Sequence, residues 1–104
     1  MSWLYLVIAG LLEVAWAVGL KYTAGFTRLW PSVFTLATMA GSVGMLGVAL
    51  RALPLGTAYA VWTGIGTVGT AVLGMILFGD PAVAGRIIPI GLVVVGIVWL
   101  ALAE

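Results

Sequence analysis

Residues 3–20 read WLYLVIAGLLEVAWAVGL, a run whose single charged side chain is Glu13. As an α-helix the run is about 27 Å long, close to the roughly 30 Å hydrocarbon core of a bilayer. It predicts a membrane span with Glu13 near its middle. An unpaired carboxylate at that depth is expensive, so the group either takes up a proton or holds a partner. A carboxyl group that must choose between a proton and a cation is the natural centre of a transporter.

The surrounding composition agrees. Of 104 residues 64% are hydrophobic, mean hydropathy is +1.32, and four basic and three acidic side chains are the whole charge complement. That is far from a soluble globular composition. The 15 glycines suit closely packed membrane helices. A net charge of +1 makes no basic face for nucleic acid. With no Cys and no His, disulfides, thiol chemistry and the usual zinc sites are excluded, no cofactor is expected, and an enzyme reading loses most of its parts. The first run lacks a basic leader and carries an acid, so it is expected to stay as a span rather than be cleaved as a signal peptide.

Turn residues and charges divide the chain into a single domain, residues 1–104, with spans at about 3–20, 31–50, 57–78 and 82–103. Pro31 fits the first turn of the second span. Thr57 is placed to cap the third. Gly79-Asp80-Pro81 stops it. The fourth span reads as a long helix starting at Pro81 and bent at Pro89, or as a shorter one with Pro89 in its first turn; the long form keeps Ala82, Val83 and Ala84 out of an apolar loop. Trp3, Trp30 and Trp99 fall near span ends, at headgroup level, whereas Trp16 and Trp62 lie deeper. The fold class is therefore an all-α polytopic membrane protein with four transmembrane helices.

Several side chains gather on faces that can serve Glu13. Gly10, Glu13 and Ala17 share one face of the first span, with Trp16 beside it to offer a ring to a cation. On the second span Ser42 is the deepest hydroxyl, with Thr38 one turn earlier; either can donate to a carboxylate or simply bond its own helix. On the third span Tyr59, Trp62, Gly66 and Gly69 form a stripe, and Gly64-Ile65-Gly66 is a plausible bend or a static packing surface. The fourth span, through Gly91 and Gly96, carries no deep polar group and reads as lipid-facing or as a dimer surface. Asp80 reads as a cap, and Arg51 and Arg86 as interfacial charges.

Both chain ends lie on one side of the membrane with Arg51, opposite Lys21, Arg28 and Arg86. The resulting positive-inside bias is weak and permits insertion in both orientations. Two oppositely inserted copies would form inverted repeats, the arrangement from which alternating access arises.

Two stretches, GLLEVAWAVGLKYTAGF (residues 10–26) and PLGTAYAVWTGIG (residues 54–66), resemble the small multidrug resistance family, and within it the guanidinium exporters. The resemblance covers essentially the whole chain. It implies a dual-topology, antiparallel homodimer in the bacterial inner membrane that exchanges a small cation for protons. By that likeness Glu13 would be the shared proton and substrate site, with Ser42 and Trp62 donating to it. Gly10 and Trp16 would line the cavity and Tyr59 would stand beside it. Gly64 and Gly66 would mark the bend, and Gly91 and Gly96 would hold the dimer. The partners implied are guanidinium or a related cation, protons, lipid, and a second copy or paralogue in opposite orientation. Pro89 departs from the family pattern, at the start of the fourth span.

Guanidinium is planar and its N–H groups match carboxylate oxygens in a fork, which favours the hydrogen-bonding set of Glu13, Ser42 and Trp62. The alternatives are a broad exporter of quaternary ammonium compounds, a non-transporting assembly subunit in which Glu13 holds a partner helix, and a uniport channel.

Overall fold

The computed structural model describes residues 2–103. It holds α1 (Ser2–Tyr22), α2 (Leu29–Ala49), α3 (Leu55–Leu77) and α4 (Ala84–Ala103). All four are long and apolar enough to cross a membrane. At 20–23 residues each they are about 30–35 Å long.

The helices lie nearly in one layer. The Cα extents are 41 × 34 × 16 Å. Four helices side by side at ordinary packing distances span about 30–35 Å. Neighbours run α2–α1–α3–α4: α1 packs on both α2 and α3, while α4 touches only α3 among the described residues. The surface of 6201 Å² exceeds the roughly 5,500 Å² of a compact soluble chain of this mass.

The core sits at one end of this layer. Leu6, Ala9, Leu46, Ala49, Ala58, Val61 and Trp62 are buried together, where α1 begins, α2 ends and α3 begins. Alanines at three of these positions let the backbones approach. At the opposite end α1 and α3 meet through the tilted ring pair of Tyr22 and Phe78, centroids 5.4 Å apart. Loops there are short and tightly bonded: Thr23 is buried, donates its hydroxyl to Leu20 O (2.8 Å) and accepts from the N–H of Phe26 (3.2 Å).

Three element ends differ from the sequence expectation. The helix of the third span starts at Leu55, with Pro54 (φ −59°, ψ 143°) in the cap position, so Thr57 lies inside the first turn and is not the cap. Proline already has a suitable φ and needs no N–H, so the helix starts there. The fourth helix begins at Ala84, between the two readings considered, and Pro89 lies inside it. Asp80 stands outside and caps nothing: residues 81–83 carry no regular structure, and the backbone N–H groups of Arg86 and Ile87 bond instead to Val83 O at 2.9 and 3.0 Å.

Candidate functional site

Glu13 projects from α1 onto the backbone of α3. A methyl group added to Gly66 would collide with Glu13 Oε1 and Cδ, so the absence of a side chain at Gly66 makes the seat of the carboxyl group. The neighbouring glycines of α3 serve other contacts. Gly64 faces Ile97 and Val93 of α4, and Gly69 faces Val14 of α1. α3 itself is a continuous helix through both Gly64 and Gly66.

Beside the carboxyl group opens a cavity of about 410 Å³, lined by Glu13, Trp16, Ala17, Gly66, Thr67, Thr70, Ala71, Asp80 and Arg86. It lies toward the end of the layer away from the core, the end carrying Lys21, Asp80 and Arg86. Three of its buried polar atoms have no hydrogen-bond partner: Glu13 Oε1, Trp16 Nε1 and Thr70 Oγ1. Threonine in a helix ordinarily bonds a carbonyl one turn back, as Thr38 does with Phe34 O at 2.8 Å. Thr35 Oγ1 and Thr63 Oγ1 are unpartnered as well and lie outside this cavity. What distinguishes Glu13, Trp16 and Thr70 is that they border space in which water or a ligand can satisfy them.

Ser42 and Trp62 are brought together one turn above, and their geometry differs from the expected donation to Glu13. Trp62 Nε1 donates to Ser42 Oγ (2.9 Å), and Ser42 Oγ donates to Ala9 O (2.7 Å). Ser42 is fully buried and Trp62 is 8% exposed. Ala9 is one turn before Glu13, so this chain of bonds ties α3 through α2 to the segment of α1 that carries the acid. Tyr59 is exposed and stacks at a tilt on Trp62, ring centroids 5.5 Å apart. Gly10 is in the α1–α3 contact against Ile65 and does not line the cavity. Methyl groups on Gly91 or Gly96 would meet nothing within 4 Å.

The bond chain makes an unequal pair of mutants. Ser42→Ala leaves a buried indole N–H without an acceptor, at a cost of about 1–3 kcal/mol. Trp62→Phe removes the donor while Ser42 keeps its bond to Ala9 O. Thermal unfolding in detergent is expected to show a loss of about 1–3 kcal/mol for Ser42→Ala, and for Trp62→Phe no more than truncation of the ring explains. Equal melting for wild type and Ser42→Ala would show the bond chain to be dispensable.

Sequence reasoning did not single out Thr67, Thr70, Asp80 or Arg86 for this site. The signal available was the spacing Gly66, Thr70, Gly74: small, hydroxyl, small at intervals of four on one face of α3.

A family model described as "Small Multidrug Resistance protein" matches residues 1–93. The chain is 60% identical over 104 residues, all of both chains, to a protein of Yersinia pseudotuberculosis named "Guanidinium exporter". Proteins of the same name from Citrobacter freundii (59% over 103 residues, 99% of this chain and 98% of the relative) and Proteus vulgaris (57% over 104 residues, all of both) are similar to it as well.

Proposed function

Because this chain belongs to the small multidrug resistance family, we propose that it exports guanidinium and small guanidinyl cations across the bacterial inner membrane in exchange for protons, with Glu13 as the shared site. It is a transporter, not an enzyme. The observation that carries the reading is a mid-span carboxyl oxygen, Glu13 Oε1, buried beside a polar cavity without a partner.

The chemistry follows from the lining. Guanidinium donates hydrogen bonds and accepts none, so it needs acceptors. Glu13 supplies two carboxyl oxygens, and the hydroxyl oxygens of Thr67 and Thr70 stand along the same wall. Trp16 adds the only aromatic ring among the lining residues, able to face a cation. A quaternary ammonium ion has no N–H to give and prefers several aromatic walls, which this cavity does not offer. A proton arriving at Glu13 removes the charge that holds the cation. One carboxylate cannot hold both, so the two fluxes exchange.

A single layer of helices leaves this cavity open. We assign its cover to a second copy in the opposite orientation, or to a paralogue, which would bring a second Glu13. Support comes from α4, which buries no residue in the chain and presents Gly91 and Gly96 on open ground. Ser42, Trp62 and Tyr59 would hold and flank the acid-bearing segment, and Gly10 would let α1 approach α3. Gly64 and Gly66 would allow α3 to differ between the two copies.

Purified protein in proteoliposomes tests the reading directly. Guanidinium added on one side is expected to drive proton movement to that side. Proton movement with tetraalkylammonium alone would favour the broad exporter, movement with neither the assembly subunit, and guanidinium flux indifferent to a proton gradient a channel.

Binding should also depend on pH in a defined sense. Protonated Glu13 has no charge for the cation, so apparent affinity should rise with pH while the acids titrate, by about tenfold per pH unit for each proton displaced. Above that range it should level off. Calorimetry of guanidinium binding in detergent across pH 5–9 would check this; a flat profile would remove the coupling.

A further inference from the structure

Two carboxyl groups rest on the same stripe of α3. Glu13 lies against Gly66, and Asp80 lies against Gly74, where an added methyl group would collide with Asp80 Oδ2. The loop after α3 puts Asp80 there. Gly79 takes a left-handed φ of 69°, and the N–H groups of Phe78 and Asp80 both bond to Gly74 O, at 3.0 and 3.2 Å. The chain thus doubles back and lays the Asp80 side chain on the helix it has just left. Gly66 and Gly74 are eight residues apart, about 12 Å along the axis. Thr70 lies midway between them, with its buried hydroxyl unpartnered.

Asp80 lines the cavity of Glu13 and also an adjoining one of about 160 Å³ walled by Ala17, Val18, Lys21, Thr70, Gly74 and Phe78. Its carboxyl group makes no hydrogen bond or ion pair among the described residues. Of the two cations near the mouth, Lys21 holds its Nζ 5.4 Å from the centre of the Phe78 ring. Arg86 shares the wall of the larger cavity with Asp80 and carries the same head group as the proposed substrate.

We infer that Asp80 is a second cation station at the mouth of the cavity, joined to Glu13 by the hydroxyl of Thr70, and that a guanidinium-type cation pauses there on its way to or from Glu13. The inference rests on the function proposed above. The cation arriving at Asp80 donates to its carboxylate, next meets the Thr70 oxygen, and then reaches Glu13; 12 Å is too far for one small ion to touch both acids. Arg86 competes for Asp80, which keeps the outer station weak and its occupant free to leave. In an antiparallel pair each membrane face would have one such mouth.

The test is guanidinium–proton exchange by the full chain in proteoliposomes, read as KM and kcat. Asp80→Asn is expected to raise KM about fivefold or more, to change kcat by less than twofold, and to flatten the dependence of KM on ionic strength, as loss of a steering charge does. Asp80→Glu should recover most of the wild-type KM. Arg86→Gln should lower KM, and Arg51→Gln, at the other end of the molecule, should leave it unchanged. If Asp80→Asn does not reconstitute, Gly74→Ala carries the test, raising KM about threefold or more by displacing the Asp80 carboxylate. A KM within twofold of wild type in the variants that reconstitute, or a fall in kcat with KM unchanged, would overturn the station. Absence of exchange in the wild type would instead overturn the function on which it rests.

Discussion

Glu13→Gln is expected to abolish guanidinium–proton exchange while leaving the fold in place. Glutamine keeps the length and shape of the side chain, so it still fits against Gly66. It loses the titratable proton and the charge, and it presents N–H groups to a cation that only donates. Removing one partner of a desolvated charge pair costs about 2–5 kcal/mol, which is about 30-fold or more in affinity. The loss of coupling should be complete, because no other acid lies within a span among the described residues. Three measurements suffice: guanidinium binding by calorimetry, substrate-linked proton release in weakly buffered detergent, and exchange in proteoliposomes. Retained proton release would remove Glu13 from the centre of the mechanism. Glu13→Asp is a graded companion. Its carboxylate is withdrawn by one methylene from the Gly66 seat, so binding should survive with lower affinity and an altered pH dependence.

Gly66→Ala is the second large effect, and it separates two roles for one residue. The added methyl group would occupy the place of Glu13 Oε1 and Cδ. Neighbouring side chains can often yield to a methyl group, but here the yielding group is the one that binds. The carboxyl group must rotate out of its seat, and a tenfold loss of equilibrium affinity, about 1.4 kcal/mol, is expected as a minimum. Helix stability should move the other way, since alanine favours a helix over glycine by about 1 kcal/mol. The clash works against that gain by about 1–3 kcal/mol, so thermal unfolding in detergent is measured beside binding to separate a lost seat from a destabilised fold. Gly44→Ala is the control, because its methyl group would meet nothing within 4 Å. If Gly66 serves mainly as a bend in α3, the pattern inverts: exchange slows while equilibrium binding stays the same. Binding isotherms and turnover on the same preparations distinguish a seat from a hinge.

A transporter of this size leaves little margin between packing and function. The end of the layer that holds Leu6, Ala9, Ala49, Ala58 and Trp62 is closed by small residues and by the Trp62–Ser42–Ala9 bond chain. The other end holds the cavity. Glu13 stands between the two, which is where a carboxyl group can be reached by water from one side and screened from the other.

Much of this protein is written along the chain. Apolar runs broken by Lys21, by Arg51-Ala52-Leu53-Pro54 and by Gly79-Asp80-Pro81 locate four spans, and one acid within the first run names the residue on which transport is proposed to turn. Those properties are local: hydropathy and turn chemistry act over a few residues and read out in one dimension. The companions of Glu13 were less legible. Ser42 and Trp62 stood out by type, yet they bond to one another and to Ala9 O. Asp80 passed for a helix cap, although α4 starts at Ala84. Which helices are neighbours, and which glycine lies under which carboxylate, follow from how close two backbones can come. That closeness is set by side chains far apart in the sequence, meeting across a layer whose order is α2–α1–α3–α4.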